Sequence, residues 1–124
     1  MFELTVNGEF EAAHQINGYN GKCQRLHGHN WSVEAVVTGN ELDELGMLID
    51  FKILKAELNN VLDELDHRYL NELPVFAVKN PTAENIAKYV FENLSKSEIF
   101  SKSAAKLKAI RIFETPKSCV TYTK

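Results

Sequence analysis

Two long N-terminal segments with alternating apolar and polar residues constrain the fold of this 124-residue chain most strongly. A two-residue period is typical of strands with one buried face. It predicts strands over residues 2–14 and 26–38, joined by a loop over 15–24 with two Asn-Gly turn pairs. Gly8 interrupts the apolar parity and predicts a bulge. The apolar side chains of shared parity are Phe2, Leu4, Val6, Phe10 and Ala12, then Trp31, Val33, Ala35 and Val37.

The middle of the chain changes to helical spacing. Apolar residues three and four apart predict a helix over 51–65 with Asp50 as N-cap. A second helix is predicted to open after Asn80-Pro81, with Thr82 as N-cap, and to run to Leu94. A short extended segment is predicted at 47–49, and the runs 107–114 and 118–123 predict a closing hairpin. The order strand, strand, helix, helix, strand, strand predicts a single α+β domain over 1–124, with both helices on one face of an antiparallel sheet.

Composition excludes several classes of function. A net charge of −3 and a pI near 5.8 provide no field for gripping a nucleic acid. No apolar run approaches the roughly 18 residues that cross a bilayer, and the N-terminus does not resemble a signal peptide. A cytoplasmic protein is therefore expected. Two cysteines are too few for a disulfide framework; one bridge remains possible, but reduced thiols are expected.

Three of the four histidines predict a metal site. His27 and His29 share the parity of Trp31, so both imidazoles leave the second strand on its apolar face. His14 ends the neighbouring strand on its own apolar parity. Three neutral imidazoles with one open position are the ligand set of a catalytic zinc, although iron, nickel and copper also accept imidazole. The alternative is that these are ordinary polar residues near a strand end.

The two cysteines differ in position. Cys23 precedes His27 by four residues in a glycine-bearing loop. It can be a small apolar filler, a fourth ligand that closes the site, or a thiol activated beside a metal. Cys119 lies in the last strand with Val120 and Tyr122 around it and is interpreted as core or sheet filler.

Two further acidic positions have open interpretations. In Asp66-His67, the carboxylate can fix the tautomer of the imidazole, but a histidine at a helix C-terminus can equally interact with the helix dipole. Glu114 shares the parity of Ile110 and Ile112, so it either points inward, where a ligand's N–H donors would satisfy it, or faces water at a sheet edge.

Several spaced motifs together resemble the 6-pyruvoyl-tetrahydropterin synthase superfamily, and within it the 6-carboxy-5,6,7,8-tetrahydropterin synthases of queuosine biosynthesis. The resemblance spans residues 2 to 122. It implies the tunnelling fold (T-fold), a four-stranded antiparallel sheet with two helices on one face that oligomerises into a barrel, usually as a hexamer. The segments that carry it are 10–14, Cys23 with 27–29, 46–51, 65–71, 80–85 and 114–115.

The resemblance also implies roles for individual residues. Cys23 would be the catalytic proton-transfer residue, with Asp66 and His67 as a second acid/base pair. Active sites in this family lie between subunits. The implied cofactor is Zn²⁺, held by His14, His27 and His29.

The implied substrate is a small pterin, 7,8-dihydroneopterin triphosphate. Glu114 would anchor the pterin edge, and Thr82 and Glu84 fall in the segment that lines the pterin pocket. The products would be 6-carboxy-5,6,7,8-tetrahydropterin, acetaldehyde and triphosphate, which makes the enzyme a carbon–carbon lyase. No compact basic loop marks the triphosphate site, for which Lys22, Arg25 and Arg68 are candidates.

Two alternatives remain open from the sequence. The sister 6-pyruvoyl-tetrahydropterin synthase reaction eliminates triphosphate but keeps the side-chain carbons, and it uses the same residues. A non-catalytic zinc protein, in which Cys23 completes a closed site, belongs to a different class.

Overall fold

The two alternating N-terminal segments form the two longest strands of one sheet. The structure is a computed structural model that describes residues 1–21 and 24–124. Short 3₁₀ turns cover Leu70–Glu72, Pro74–Phe76 and Glu98–Phe100. The strands and helices are β1 (Phe2–His14), β2 (His27–Gly39), α1 (Phe51–Asp63), β3 (Arg68–Tyr69), α2 (Ala83–Leu94), β4 (Lys106–Thr115) and β5 (Ser118–Tyr122).

The described strands form one sheet in the order β3-β1-β2-β4-β5. β1 and β2 pair antiparallel from Phe2↔Gly39 to His14↔His27, and β4 and β5 continue the antiparallel pattern. The predicted α+β class and the four long antiparallel strands are confirmed. The difference is β3, a two-residue fifth strand that pairs parallel with Ala12 and Ala13 at the β1 edge.

Both helices pack on the sheet face that carries Phe10 and Trp31, whose stacked rings lie 5.7 Å apart in the buried core. The predicted caps are present. The Asp50 carboxylate accepts a hydrogen bond from the Lys52 N–H at 2.8 Å, and the Thr82 hydroxyl accepts one from the Asn85 N–H at 3.2 Å. α1 ends at Asp63, two residues before the predicted end.

The prediction of a bulge at Gly8 is wrong, because the β1–β2 register runs through it without a shift. Gly8 is instead a point of close approach between sheet and helix. A Cβ atom there would lie 2.7 Å from Leu62 Cδ1 and 3.2 Å from Asn59 Oδ1, both on α1. The register shifts of the described sheet lie between Val36 and Val37, where β2 pairs with β4, and between Phe113 and Thr115, where β4 pairs with β5.

The predicted extended segment at 47–49 is also wrong, since these residues form no strand. The Asp43 carboxylate accepts hydrogen bonds from the N–H groups of Leu45 and Met47, both at 2.9 Å, and closes a tight loop. Leu48 and Ile49 are then directed into the core. Among the described residues, no helix has the length and apolar character to cross a membrane.

Candidate metal centre and proton-transfer pair

The last rungs of the β1–β2 ladder bring three imidazoles together. His14 pairs with His27 in register, and His29 lies opposite Ala12. Because all three share the apolar parity of their strands, their rings meet at the end of the core, against Trp31. One ring nitrogen from each histidine lies within 4.8 Å of the other two. The structure therefore forms the cluster that the parity of the two strands predicts.

Backbone carbonyls determine which nitrogens carry protons in two of these rings. His14 Nδ1 lies 2.7 Å from the Pro81 carbonyl oxygen, and His27 Nδ1 lies 2.7 Å from that of Arg25. A carbonyl oxygen can only accept, so each Nδ1 must donate. In a neutral imidazole the Nε2 atom is then bare, and the Nε2 atoms of His14 and His27 lie 2.8 Å apart. Two facing lone pairs at this distance repel each other, and a proton or a metal ion shared by the two nitrogens relieves that repulsion.

The third imidazole also has a nitrogen without a partner. His29 Nε2 is buried and makes no hydrogen bond within the described part of the chain. The nearest charged group is the Glu114 carboxylate, whose Oε1 lies 3.5 Å away without hydrogen-bond geometry. A buried polar atom left unpaired costs about 1–3 kcal/mol, so this nitrogen also favours a ligand.

Burial favours the neutral form of two of these imidazoles, His14 and His29. His14 is only 1% exposed, and burial is the main cause that lowers its pKa, although its hydrogen bond to Pro81 acts in the opposite direction. Burial likewise lowers the pKa of His29, against the raising effect of Glu114. Neutral imidazole is the metal-binding form. Three such nitrogens suit zinc and other first-row divalent ions, and carbonyl-bonded Nδ1 atoms are the usual orientation of histidine ligands.

A second ionisable group lies on the opposite face of β1. The Asp66 carboxylate accepts from the Glu11 backbone N–H at 2.8 Å through Oδ1, and its Oδ2 lies 2.9 Å from His67 Nδ1. On the other side of the ring, His67 Nε2 lies 3.3 Å from Glu11 Oε2. The imidazole is thus held between two carboxylates at the surface.

These contacts shift both pKa values toward the charged forms. The hydrogen bond from the Glu11 N–H, followed by that from His67, lowers the pKa of Asp66. The hydrogen bond to Asp66, followed by its charge, raises the pKa of His67, and Glu11 adds a smaller contribution. The surroundings of His67 therefore favour its protonated form, the form that can donate a proton to a bound molecule.

The His67 backbone has an unusual conformation, with φ at +56°. This turn follows α1 and directs the His67 N–H to the Glu11 carbonyl oxygen at 2.6 Å. The alternative of a histidine on the helix dipole is not observed, because α1 ends at Asp63. Sequence reasoning missed Glu11. Its parity, opposite to that of His14, indicates only that it leaves the other face of β1.

An open cleft of about 460 Å³ lies where the ends of β1, β2 and β3 meet. Its wall includes Glu11 and His67, together with the stretch of β2 that contains the metal-site residue His29. A molecule in this cleft can contact His67, while the His29 imidazole leaves β2 on the opposite face of the sheet.

Comparison with known proteins identifies the family. The family model of 6-pyruvoyl tetrahydropterin synthase matches residues 3–124. The chain belongs to the 6-pyruvoyl tetrahydropterin synthase family. It is 36% identical to a 6-carboxy-5,6,7,8-tetrahydropterin synthase from Synechocystis sp., over 98% of this chain and 93% of that protein. A Haemophilus influenzae protein of the same name is 32% identical, over 98% and 99% of the two chains.

Solved structures of the family share the fold. The 6-pyruvoyl tetrahydropterin synthase of Caenorhabditis elegans superposes with a TM-score of 0.83 at 30% identity, covering 99% of this chain and 95% of that one. The resemblance inferred from the spaced motifs is therefore confirmed, together with the T-fold class.

The remaining predicted site residues are distributed around the metal cluster. Glu114 lies on the inward parity of β4, next to His29, which decides between its two interpretations. Thr82 caps α2 directly after Pro81, the acceptor for His14, and Glu84 is exposed in the first turn of that helix.

The predictions for the two cysteines have different outcomes. Cys23, predicted as the catalytic thiol, lies outside the described residues, so its role stays a prediction. Cys119 lies in the sheet but is exposed, so its interpretation as core filler is wrong. It pairs with Phe113 across the β4–β5 hairpin on the face that the helices leave open.

Proposed function

We propose that this protein is a zinc-dependent lyase, a 6-carboxy-5,6,7,8-tetrahydropterin synthase. It would convert 7,8-dihydroneopterin triphosphate and water to 6-carboxy-5,6,7,8-tetrahydropterin, acetaldehyde and triphosphate. The observation that carries this proposal is the pair of facing Nε2 atoms of His14 and His27, 2.8 Å apart, beside the unpaired nitrogen of His29. The relatives of the same name support the choice of reaction within the family.

The three histidines would hold the zinc through the nitrogens that the backbone leaves free. Burial lowers the pKa of His14 and His29 and so favours the neutral form that binds metal ions. When bound, zinc would act as a Lewis acid on the side-chain oxygens of the substrate and favour loss of a neighbouring proton.

His67 would move a proton from the side of the cleft opposite to the metal. Asp66 holds the ring by its Nδ1 atom, so Nε2 is the atom that can exchange a proton with the substrate. Glu11 Oε2 lies 3.3 Å from this Nε2 atom, on the side of the ring where the substrate would exchange the proton. Cys23 would serve as the second proton-transfer residue, as the family resemblance implies.

Glu114 would bind the pterin ring. Its carboxylate lies 3.5 Å from His29 Nε2, so a heterocycle whose N–H edge it accepts would have its side chain beside the metal ligands. Thr82 and Glu84, which follow the Pro81 acceptor in sequence, would line the same pocket. Water exclusion on this side comes from Trp31, which is fully buried under the imidazoles.

The cellular setting extends the same proposal. As a single domain over residues 1–124, the chain would assemble as a homo-oligomer, a hexamer in the family pattern, with active sites between subunits. It would work in the cytoplasm, on the path to queuosine and related 7-deazapurines.

Product identification tests the proposed reaction. Zinc-loaded protein is incubated with 7,8-dihydroneopterin triphosphate, the pterin products are weighed by mass spectrometry, and acetaldehyde is assayed separately. Acetaldehyde together with 6-carboxy-5,6,7,8-tetrahydropterin is the expected result. A 6-pyruvoyl product without acetaldehyde would establish the sister reaction, and no turnover with zinc bound would favour a non-catalytic zinc protein.

A Cys23→Ala variant serves as the matched control for the metal. It should keep zinc but lose turnover if the thiol transfers protons. Loss of zinc together with the thiol would contradict this role and make Cys23 a ligand.

A further inference from the structure

We propose that Asn71 and Asn80 are positioning residues that hold the backbone after His14 and thereby fix His14 for metal binding. The proposal rests on the metal-binding part of the proposed function. The segment concerned is 15–17, which continues from β1 beyond the end of the sheet.

No strand in the described part of the chain pairs with this segment. The β1–β2 ladder ends at His14↔His27, and the parallel pairing with β3 covers only Ala12 and Ala13 on the other edge. Its backbone N–H and C=O groups therefore need other partners.

Two side-chain amides take the place of the missing strand. Asn71 Oδ1 accepts from the Gln15 N–H at 2.9 Å, and Asn71 Nδ2 donates to the Gln15 carbonyl at 2.8 Å. Asn80 makes the same pair of bonds with Asn17, at 3.0 and 2.9 Å. Each amide thus matches one donor and one acceptor, as a neighbouring strand would do at alternate residues.

The same residues connect this segment to the metal ligand. Asn80 immediately precedes Pro81, whose carbonyl oxygen orients His14 at 2.7 Å. The Asn80 carbonyl is itself held by the Asn85 side-chain amide at 2.8 Å, from the first turn of α2. His14 is therefore fixed at its backbone by the clamped segment and at its ring by Pro81. Asn71 contributes to the backbone restraint alone, whereas Asn80 contributes to both.

Zinc affinity of single variants tests the proposal. Asn71→Ala and Asn80→Ala should each raise the zinc Kd about tenfold, the lower end of the effect typical of outer-shell partners of a metal site. The matched control is Asn93→Ala, which loses one amide bond of 2.8 Å to the Tyr89 carbonyl within α2. It should leave the zinc Kd unchanged even if its melting temperature falls equally.

A second measurement needs no substitution and covers the case in which a variant fails to fold. In the metal-free wild-type protein, NMR hydrogen exchange should show protected Gln15 and Asn17 amides, while the neighbouring Gly18 amide exchanges freely. Rapid exchange of Gln15 and Asn17 would overturn the proposal.

The outcomes separate the two claims. Tight zinc binding and turnover in the wild type with unchanged zinc Kd in both asparagine variants would overturn the clamp and leave the proposed function intact. A wild-type protein that binds no zinc would overturn both.

Discussion

At the scale of single residues, protonation is controlled by what the backbone offers each ring nitrogen. The carbonyl oxygens of Pro81 and Arg25 accept hydrogen bonds from the Nδ1–H groups of His14 and His27. In the neutral rings both Nε2 atoms can then only accept, and they lie 2.8 Å apart. His67 shows the opposite case, because the carboxylate of Asp66 favours its charged form. The surroundings of the strand ends thus favour the neutral form of the ligands His14 and His29, and the turn after α1 favours the charged form of His67.

Removal of one imidazole should abolish metal binding. A His14→Asn variant is expected to weaken zinc affinity by more than about 100-fold, the upper end of the loss caused by an altered outer shell. Isothermal titration calorimetry with zinc measures this affinity. His67→Asn is the control and should keep wild-type affinity; equal affinity in His14→Asn would contradict the assignment of the ligand.

The pKa of His67 should depend on Asp66. NMR titration of the wild type should place it above the ordinary value of 6.5, and Asp66→Asn should lower it toward that value. Glu11→Gln should lower it less, because Glu11 contributes less. A raised folded-state pKa stabilises the fold below pH 6.5, and that contribution is lost as the pH rises through the folded-state pKa. An unchanged pKa of His67 in Asp66→Asn would refute the pairing of His67 with Asp66.

At the scale of elements, long periodic segments could be predicted almost to the residue. β1 spans the predicted 2–14, and β2 is displaced by one residue toward the C-terminus from the predicted 26–38. β3 could not be predicted, since two residues carry no period and their partner in β1 is 56 positions away. Gly8 was misread because the helix that approaches it is remote in sequence.

The close approach at Gly8 gives a stability prediction. Gly8→Ala should destabilise the fold by about 1–3 kcal/mol, because a Cβ 2.7 Å from Leu62 Cδ1 overpacks a buried contact. Urea denaturation measures the loss. Gly28→Ala is the control, because a Cβ atom there would lie 3.9 Å from the Ala12 carbonyl oxygen, at ordinary van der Waals distance. Equal stability of wild type and Gly8→Ala would show that α1 can move away freely.

At the scale of the whole molecule, the helices cover one sheet face and leave the other face and both sheet edges to solvent in a single chain. The histidine cluster could be predicted from the sequence, because strand parity and adjacency determine it. The contact of Glu11 with Asp66 and His67 could not, since it depends on a left-handed turn at His67.

Assembly gives a prediction at this scale. Native mass spectrometry should find six copies of the 14.1 kDa chain, because open edges and an uncovered sheet face favour association between subunits. A fully active monomer would contradict both the hexamer and active sites shared between subunits.

X-ray absorption at the zinc edge of the loaded protein tests most directly whether three histidines form an open, catalytic metal site. We expect a first shell of imidazole nitrogens with the open position filled by a light atom, all at about 2.0–2.1 Å and without sulfur. A sulfur scatterer at about 2.3 Å would place Cys23 on the metal and make the site a closed, structural one.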